Sequence, residues 1–61
     1  MGSRKRAMEN LKNAKRALAE VIEQDKKAGR DYETDNRVVA DHAVRIAEKQ
    51  AREAGVPAWR R

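Results

Sequence analysis

The sequence predicts an all-α fold, an antiparallel helical hairpin that pairs into a four-helix bundle. Apolar residues recur with helical spacing in two long segments, about 4–28 and about 32–54. A glycine follows each segment, as is common at helix ends. The chain has 61 residues and no cysteine, so a small core must be supported without disulfides. Residues 1–61 therefore form one hairpin, with a basic N-terminus at 1–6 and a tail at 55–61.

The first helix can begin at Arg4, because Ser3 is a suitable N-cap and no Pro or Gly occurs from 4 to 28. Two polar residues, Lys15 and Asp25, lie within its apolar arc. We interpret Lys15 as a stem lying along the apolar surface with its amine in water. The apolar residues repeat every seven positions, in the rows Leu11, Leu18 and Ala7, Ala14, Val21, Ala28.

The turn between the helices can be short or long. Gly29 is a good left-handed C-cap, and Asp31 can cap the second helix, which gives a loop over 29–31. The alternative is a loop over 29–35, with the second helix starting near Asn36. The short loop is favoured, because its register sets Asp25 against Asn36, where the two can form a hydrogen bond, whereas the longer loop shifts the register by one heptad and sets Asp25 against Ala43.

The second helix has a stripe of small residues, which lets another helix approach closely. The opposite arc carries alternating charges and is predicted to be a solvated face, with His42 at the boundary. Gly55 and Pro57 end the helix. Trp59 in the tail either folds back near residues 1–8 or anchors a partner. The stripe consists of Ala40, Val44, Ala47, Ala51 and Ala54.

These apolar arcs are too wide for one neighbouring helix to cover, so we expect a second hairpin to complete a four-helix bundle. The predicted core comprises Leu11, Leu18, Val21, Ile22, Val39, Ala40, Ala43 and Ile46. The side chains expected to stay largely exposed in a lone hairpin are Met8, Leu11, Ile22, Tyr32, Val39 and Ile46. Together with Leu18, these side chains are expected to form the oligomer interface.

Charge is unevenly distributed along the hairpin. Residues 1–16 carry a net +5, residues 17–36 a net −3 and residues 37–61 a net +3, which together give the overall +5. The turn of the hairpin is therefore an acidic tip, and the opposite end, where both termini meet, is basic. Two hairpins stacked with their tips opposed would set each acidic tip beside a basic end, which predicts an antiparallel dimer.

The sequence contains no recognisable catalytic constellation. None of the hydroxyls of Ser3, Tyr32 and Thr34 has His42 within helical reach, and the three glycines are isolated. A single histidine without cysteine does not make a metal site. We therefore expect no enzyme activity, cofactor or metal. No apolar run approaches the length of a membrane span, and a cytoplasmic location is the expectation.

The basic open end suggests a binding site for DNA or RNA. Arg4, Lys5 and Arg6 lie in the first turn of the first helix, where cations oppose the helix dipole. Trp59 could stack on a base. The same cations could instead be solubilising termini, or could contact the acidic tip of a second hairpin. The candidate phosphate-contacting residues are Arg4, Lys5, Arg6, Lys12, Arg16, Arg52, Trp59, Arg60 and Arg61.

These features favour a small protein–protein interaction module, either self-associating as a homodimer or serving as an accessory subunit of a larger assembly. A nucleic-acid-binding bundle that uses the basic end is the alternative. A membrane-surface role comes third, because the many acidic residues disfavour it.

Overall fold

Two helices account for most of the chain. The computed structural model describes residues 3–61, and residues 1 and 2 of the predicted basic N-terminus lie outside this part. Helix α1 runs over Ser3–Lys27, helix α2 over Asp35–Glu53, and a short 3-10 turn over Ala58–Arg60. The helices pack against each other in a rod of 43 × 17 × 13 Å. The predicted helical hairpin is confirmed, and its pairing into a four-helix bundle stays a prediction.

Helix α1 ends as predicted, with Gly29 in the left-handed conformation at φ 74°. The Gly29 N–H donates to the Lys26 carbonyl at 3.1 Å, and the Arg30 N–H donates to the Asp25 carbonyl at 2.8 Å. This pair of bonds is the Schellman motif, which satisfies carbonyls that the helix itself leaves free. Glycine suits this position because it has no Cβ to clash at positive φ.

The loop is the longer of the two alternatives, and the predicted short loop is wrong. Helix α2 begins at Asp35, and its N-cap is Thr34, not Asp31; the Thr34 hydroxyl accepts a bond from the Arg37 N–H at 3.2 Å. Tyr32, a residue of the predicted oligomer interface, lies in the loop and is 63% exposed. The start of α2 after Thr34 is explained by a contact with α1. The Thr34 hydroxyl also donates to the buried Asp25 carboxylate at 2.8 Å.

The helices are antiparallel and lie close to the predicted register. At the open end, Arg4 Nε donates to the Ala54 carbonyl at 3.3 Å, and at the turn Arg37 Nε lies 3.4 Å from Asp25 Oδ2. The predicted contact between Asp25 and Asn36 is absent, since Asn36 is exposed. The one-heptad shift expected of the longer loop does not occur. Residues 32–34, which were predicted to be the first residues of α2, belong to the loop instead, so the loop is longer while the facing residues of the two helices stay close to the predicted pairs.

The core lies between the stripe of small residues on α2 and the heptad rows of α1. Leu11 is its largest apolar member, at 1% exposure. Of the predicted core, Leu18, Val21, Ile22 and Ala40 are half-buried, whereas Val39, Ala43 and Ile46 are exposed, which corrects the prediction for these three. Helix α2 turns its smallest residues toward α1, and this rotation moves its larger apolar residues to the flank. The buried apolar residues are Ala7, Leu11, Val44, Ala47, Ala51 and Val56.

Val56 was not predicted as a core residue. Helix α2 ends in a second Schellman motif: Gly55, at φ 88°, donates to the Arg52 carbonyl at 3.0 Å, and Val56 donates to the Ala51 carbonyl at 2.9 Å. This geometry turns the Val56 side chain back into the core, where it is 4% exposed. An apolar residue directly after the C-terminal glycine often makes this contact, so the sequence did carry the signal.

Neither helix has an apolar stretch long enough to cross a lipid bilayer within residues 3–61.

Candidate functional site

One side of the hairpin carries exposed apolar side chains, and we call it the bare face. It consists of Val39, Ala43 and Ile46 on α2, together with Ala17 and Val21, which lie on the same side of the hairpin on α1. Val39 is 68% exposed and Ile46 46%. At about 100° per residue, the three α2 residues fall on one flank of the stripe that faces α1. Because both helices are right-handed and run antiparallel, this flank lies on the same side of the hairpin as Ala17 and Val21 of α1.

The C-terminal tail covers the opposite side. Arg61 lines one groove with Lys12 and Lys15 of α1 and a second groove with Arg45 and Arg52 of α2. The tail therefore lies along the side of the hairpin away from the bare face.

The predicted oligomer interface does not form a single surface. Leu11 is buried within the hairpin itself, so the expectation that it stays exposed is wrong. Met8, Leu18 and Ile22 are half-buried, and helical spacing places Met8 and Ile22 toward the tail side. Of the predicted set, only Val39 and Ile46 belong to the bare face, while Tyr32 lies in the loop.

The open end contains a groove between α1 and the tail, which we call the cationic groove. It has a volume of about 550 Å³, with Met8 and Leu11 among its lining residues and Glu9 as its one acidic residue. A smaller groove, which includes Arg4, continues from it through Lys5, Met8 and Arg60. The basic residues of the cationic groove are Lys5, Lys12, Lys15, Arg60 and Arg61.

Three contacts hold the tail against the helices. Val56 is buried, its N–H donates to the Ala51 carbonyl at 2.9 Å, and Lys15 Nζ donates to the main-chain oxygen of Arg61. The Lys15 amine, predicted to lie in water, thus has a protein partner. Trp59 does not fold back onto α1, since its side chain is 83% exposed, and the Arg60 guanidinium carbon lies 5.9 Å from the centre of its ring.

The candidate phosphate-contacting residues are only partly brought together. Lys5, Lys12, Arg60 and Arg61 line the cationic groove, and Arg4 adjoins it. Four predicted residues lie outside it, one of which is the exposed Trp59 described above. Arg6 faces a different side of α1 with Asn10 and Asn13, Arg52 lines the separate groove on α2, and Arg16 is exposed. Sequence reasoning missed Lys15 as a member, because its contact with Arg61 spans 46 positions.

A buried carboxylate joins the two helices at the turn. Asp25 is 2% exposed; it accepts a bond from the Thr34 hydroxyl at 2.8 Å and one from Arg30 Nε at 3.0 Å. Arg37 Nε lies 3.4 Å away, at ion-pair distance but without hydrogen-bond alignment. The bond from Thr34, followed by the bond and charge of Arg30, lowers the pKa of Asp25 below its ordinary value, although burial opposes this shift. The cluster therefore fastens the end of α1 to the start of α2.

Within the described residues, no group of three or more His, Cys, Asp or Glu side chains is placed to hold a metal ion. His42 is exposed on α2. Comparison with known proteins gives no match to a family model, to a curated protein or to a solved structure.

Proposed function

We propose that this chain is a small helical assembly module that pairs with a second copy of itself through the bare face, and that it acts by association rather than by catalysis. The observation that carries the proposal is the exposure of Val39 and Ile46, two β-branched residues one heptad apart on one flank of α2. Exposed apolar residues scattered singly are ordinary on protein surfaces. Helical spacing places these two on the same flank as Ala43, on the side of the hairpin that also carries Ala17 and Val21, so they are not scattered singly.

The energetics favour a weak dimer. Covering Val39 and Ile46 on both copies removes four side chains from water, each contributing about 1.5–3 kcal/mol when fully buried. Association itself costs about 4–15 kcal/mol in lost freedom of motion. Because these side chains are already partly covered in the single hairpin, the total gain is at most about 12 kcal/mol. Its difference from the smallest association cost, about 8 kcal/mol, corresponds to a dissociation constant no tighter than roughly micromolar.

The charge distribution supports an antiparallel arrangement. The turn end carries the net −3 of residues 17–36, and the open end carries the surplus of positive charge. Copies that meet with their tips opposed place unlike charges side by side, whereas a parallel pair would place like charges together. Added salt should therefore weaken the dimer.

Sedimentation over a range of protein concentrations, at two salt concentrations, tests the association. We expect the unmodified chain to dimerise, and the double variant Val39→Asn with Ile46→Asn to remain a folded monomer. Asparagine and valine have similar helix propensities, so the change acts mainly on the surface. Val38→Asn is the matched control, because Val38 is 47% exposed but lies off the bare face. A monomer at every concentration up to about millimolar would contradict the proposal.

Cysteine cross-linking tests the orientation, since the chain has no cysteine of its own. Ala43 lies near the middle of the rod and Asn36 one heptad closer to the tip, both exposed on the same flank of α2. In an antiparallel dimer, Ala43→Cys should form a disulfide with its copy under mild oxidation, and Asn36→Cys should not. Equal cross-linking of both variants would indicate a parallel pair.

A further inference from the structure

Cations and carboxylates are paired near the turn but not at the open end. The ion pairs among residues 3–61 join Lys27 to Glu23, Arg30 and Arg37 to Asp25, and Arg45 to Asp41, so all of them lie between residues 23 and 45. Among residues 3–61, no Asp or Glu carboxylate lies within ion-pair distance of the basic residues of the cationic groove or of Arg4. Lys15 donates instead to the main-chain oxygen of Arg61, and Arg4 to that of Ala54. Lys5, Lys12 and Arg60 therefore carry positive charge that no Asp or Glu side chain neutralises, and this charge can act on an external anion.

The groove combines this charge with an apolar lining and an exposed aromatic ring. Lys5 and Lys12 stand on α1, Arg60 and Arg61 stand on the tail, and Met8 and Leu11 are among the residues that line the space between them. Trp59 does not line the groove, but it precedes the lining residue Arg60, its side chain is 83% exposed, and the Arg60 guanidinium carbon lies 5.9 Å from the centre of its ring. Such a row of cations next to a flat aromatic surface suits a ligand that alternates phosphates with planar rings.

We propose that the cationic groove binds single-stranded nucleic acid. Phosphates contact Lys5 and Lys12 on one wall and Arg60 and Arg61 on the other, while one base stacks on Trp59. Stacking on a side chain requires a base that is not already paired and stacked in a duplex, which favours a single strand. An acidic peptide could satisfy the charges but offers no comparable series of planar rings. The groove lies opposite the bare face, so this inference does not depend on self-association.

The salt dependence of binding gives a quantitative expectation. If the four basic residues Lys5, Lys12, Arg60 and Arg61 each neutralise one phosphate, the slope of log K against log salt is about −3 for a single strand. Affinity then falls about 50-fold between roughly 50 mM and 200 mM salt. Removing two of the four contacts should reduce the slope to about −1.4.

The test uses Trp59 as an intrinsic probe, because it is the only tryptophan. Titration with an oligothymidylate of about ten nucleotides should quench its fluorescence, with the salt slope given above. The double variant Lys5→Gln with Lys12→Gln should lose affinity and half of the slope. Lys26→Gln with Lys27→Gln is the matched control, since it removes the same charge from the other end of α1 and should leave both values unchanged.

The stacking contact is tested separately with a labelled oligonucleotide. Trp59→Leu should weaken binding by about 5- to 150-fold, the range expected for the loss of one stacked base. Three results would overturn the inference: no quenching at about 50 mM salt, equal losses in the two lysine variants, or equal affinity for a duplex of the same length. The first would show that the groove does not bind this ligand, the second a general response to net charge, and the third binding without an unpaired base.

Discussion

Truncation of Leu11 is the most direct test of where the core lies. Leu11 is 1% exposed and is the largest apolar side chain in a core that otherwise consists of alanines and valines. The variant Leu11→Ala loses the transfer energy of a fully buried leucine and leaves a cavity that rigid helices cannot close, at a cost of about 3 kcal/mol within a usual range of about 2–5 kcal/mol. The core of so small a domain supplies only about 3–5 kcal/mol in total.

The variant should therefore be only marginally folded. With roughly 1 kcal/mol remaining, about one molecule in six is unfolded at room temperature, and the melting midpoint falls by about 12–24 °C. Circular dichroism during heating and urea titration measures both quantities, at a fixed protein concentration because association would add to stability.

Two further variants of the same kind serve as controls. Leu18→Ala removes the same atoms from a half-buried position and should cost only about 1 kcal/mol. Leu11→Met keeps the volume and should cost less than about 1.5 kcal/mol. Equal losses in Leu11→Ala and Leu18→Ala would show that the two leucines are equally buried in solution, and would refute the placement of the core.

Three other predictions concern the ends of the helices. The folded chain holds the pKa of Asp25 below its ordinary value of 3.8, so the stability that this carboxylate provides is complete above that pH and is lost as the pH falls toward the lowered value. The difference in urea stability between the unmodified chain and Asp25→Asn should therefore shrink below about pH 4, and a constant difference would contradict the account. Thr34→Val should lower stability by at least about 1 kcal/mol in thermal melts, since it removes both the N-cap and the bond to Asp25, whereas Thr34→Ser keeps both and should be nearly neutral. Gly55→Ala should lower the melting midpoint more than Gly29→Ala, because both glycines have positive φ but only the Cβ at 55 meets another group, the Arg4 guanidinium at 3.3 Å; the reverse order would show that this contact is not made.

The parts of the fold that depend on local chemistry could be predicted from the sequence. Gly29 and Gly55 mark the helix ends because few other residues accept a positive φ there. The stripe of small residues on α2 indicated which face meets α1, and Val44, Ala47 and Ala51 are indeed buried. The rotation of α2 was less predictable, because the wide apolar arc allowed either the small or the branched residues to face inward.

The start of α2 could not be predicted from the loop alone. Asp31 and Thr34 are both good N-caps, so local propensity does not separate them. The deciding contact is the bond from Thr34 to Asp25, nine positions away on the other helix. An aspartate in an apolar arc looked like an interruption of the core, whereas it forms the junction between the helices.

The cationic groove was predictable only as a cluster of charge. Sequence reasoning placed basic residues at both ends of the chain and expected them to meet at the open end. It could not separate Lys12 and Lys15, which line the groove, from Arg6 and Arg16, which do not, because the path of the tail decides this. That path follows from the burial of Val56.

The anchoring of the tail by Val56 has a dynamic consequence. One wall of the cationic groove is formed by the tail. The tail is held against the helices by the buried Val56, by the bond from its N–H to the Ala51 carbonyl, and by the bond from Lys15 to Arg61. Releasing that valine costs about 1.5–3 kcal/mol, which is less than unfolding the hairpin. At room temperature, roughly one to eight molecules in a hundred would then have the tail detached while both helices remain intact. A single strand that contacts both walls binds only molecules whose tail is attached, so binding should lower the fraction with a detached tail. Protection of the Val56 amide against hydrogen exchange should therefore rise on binding by more than that of amides in the middle of α2.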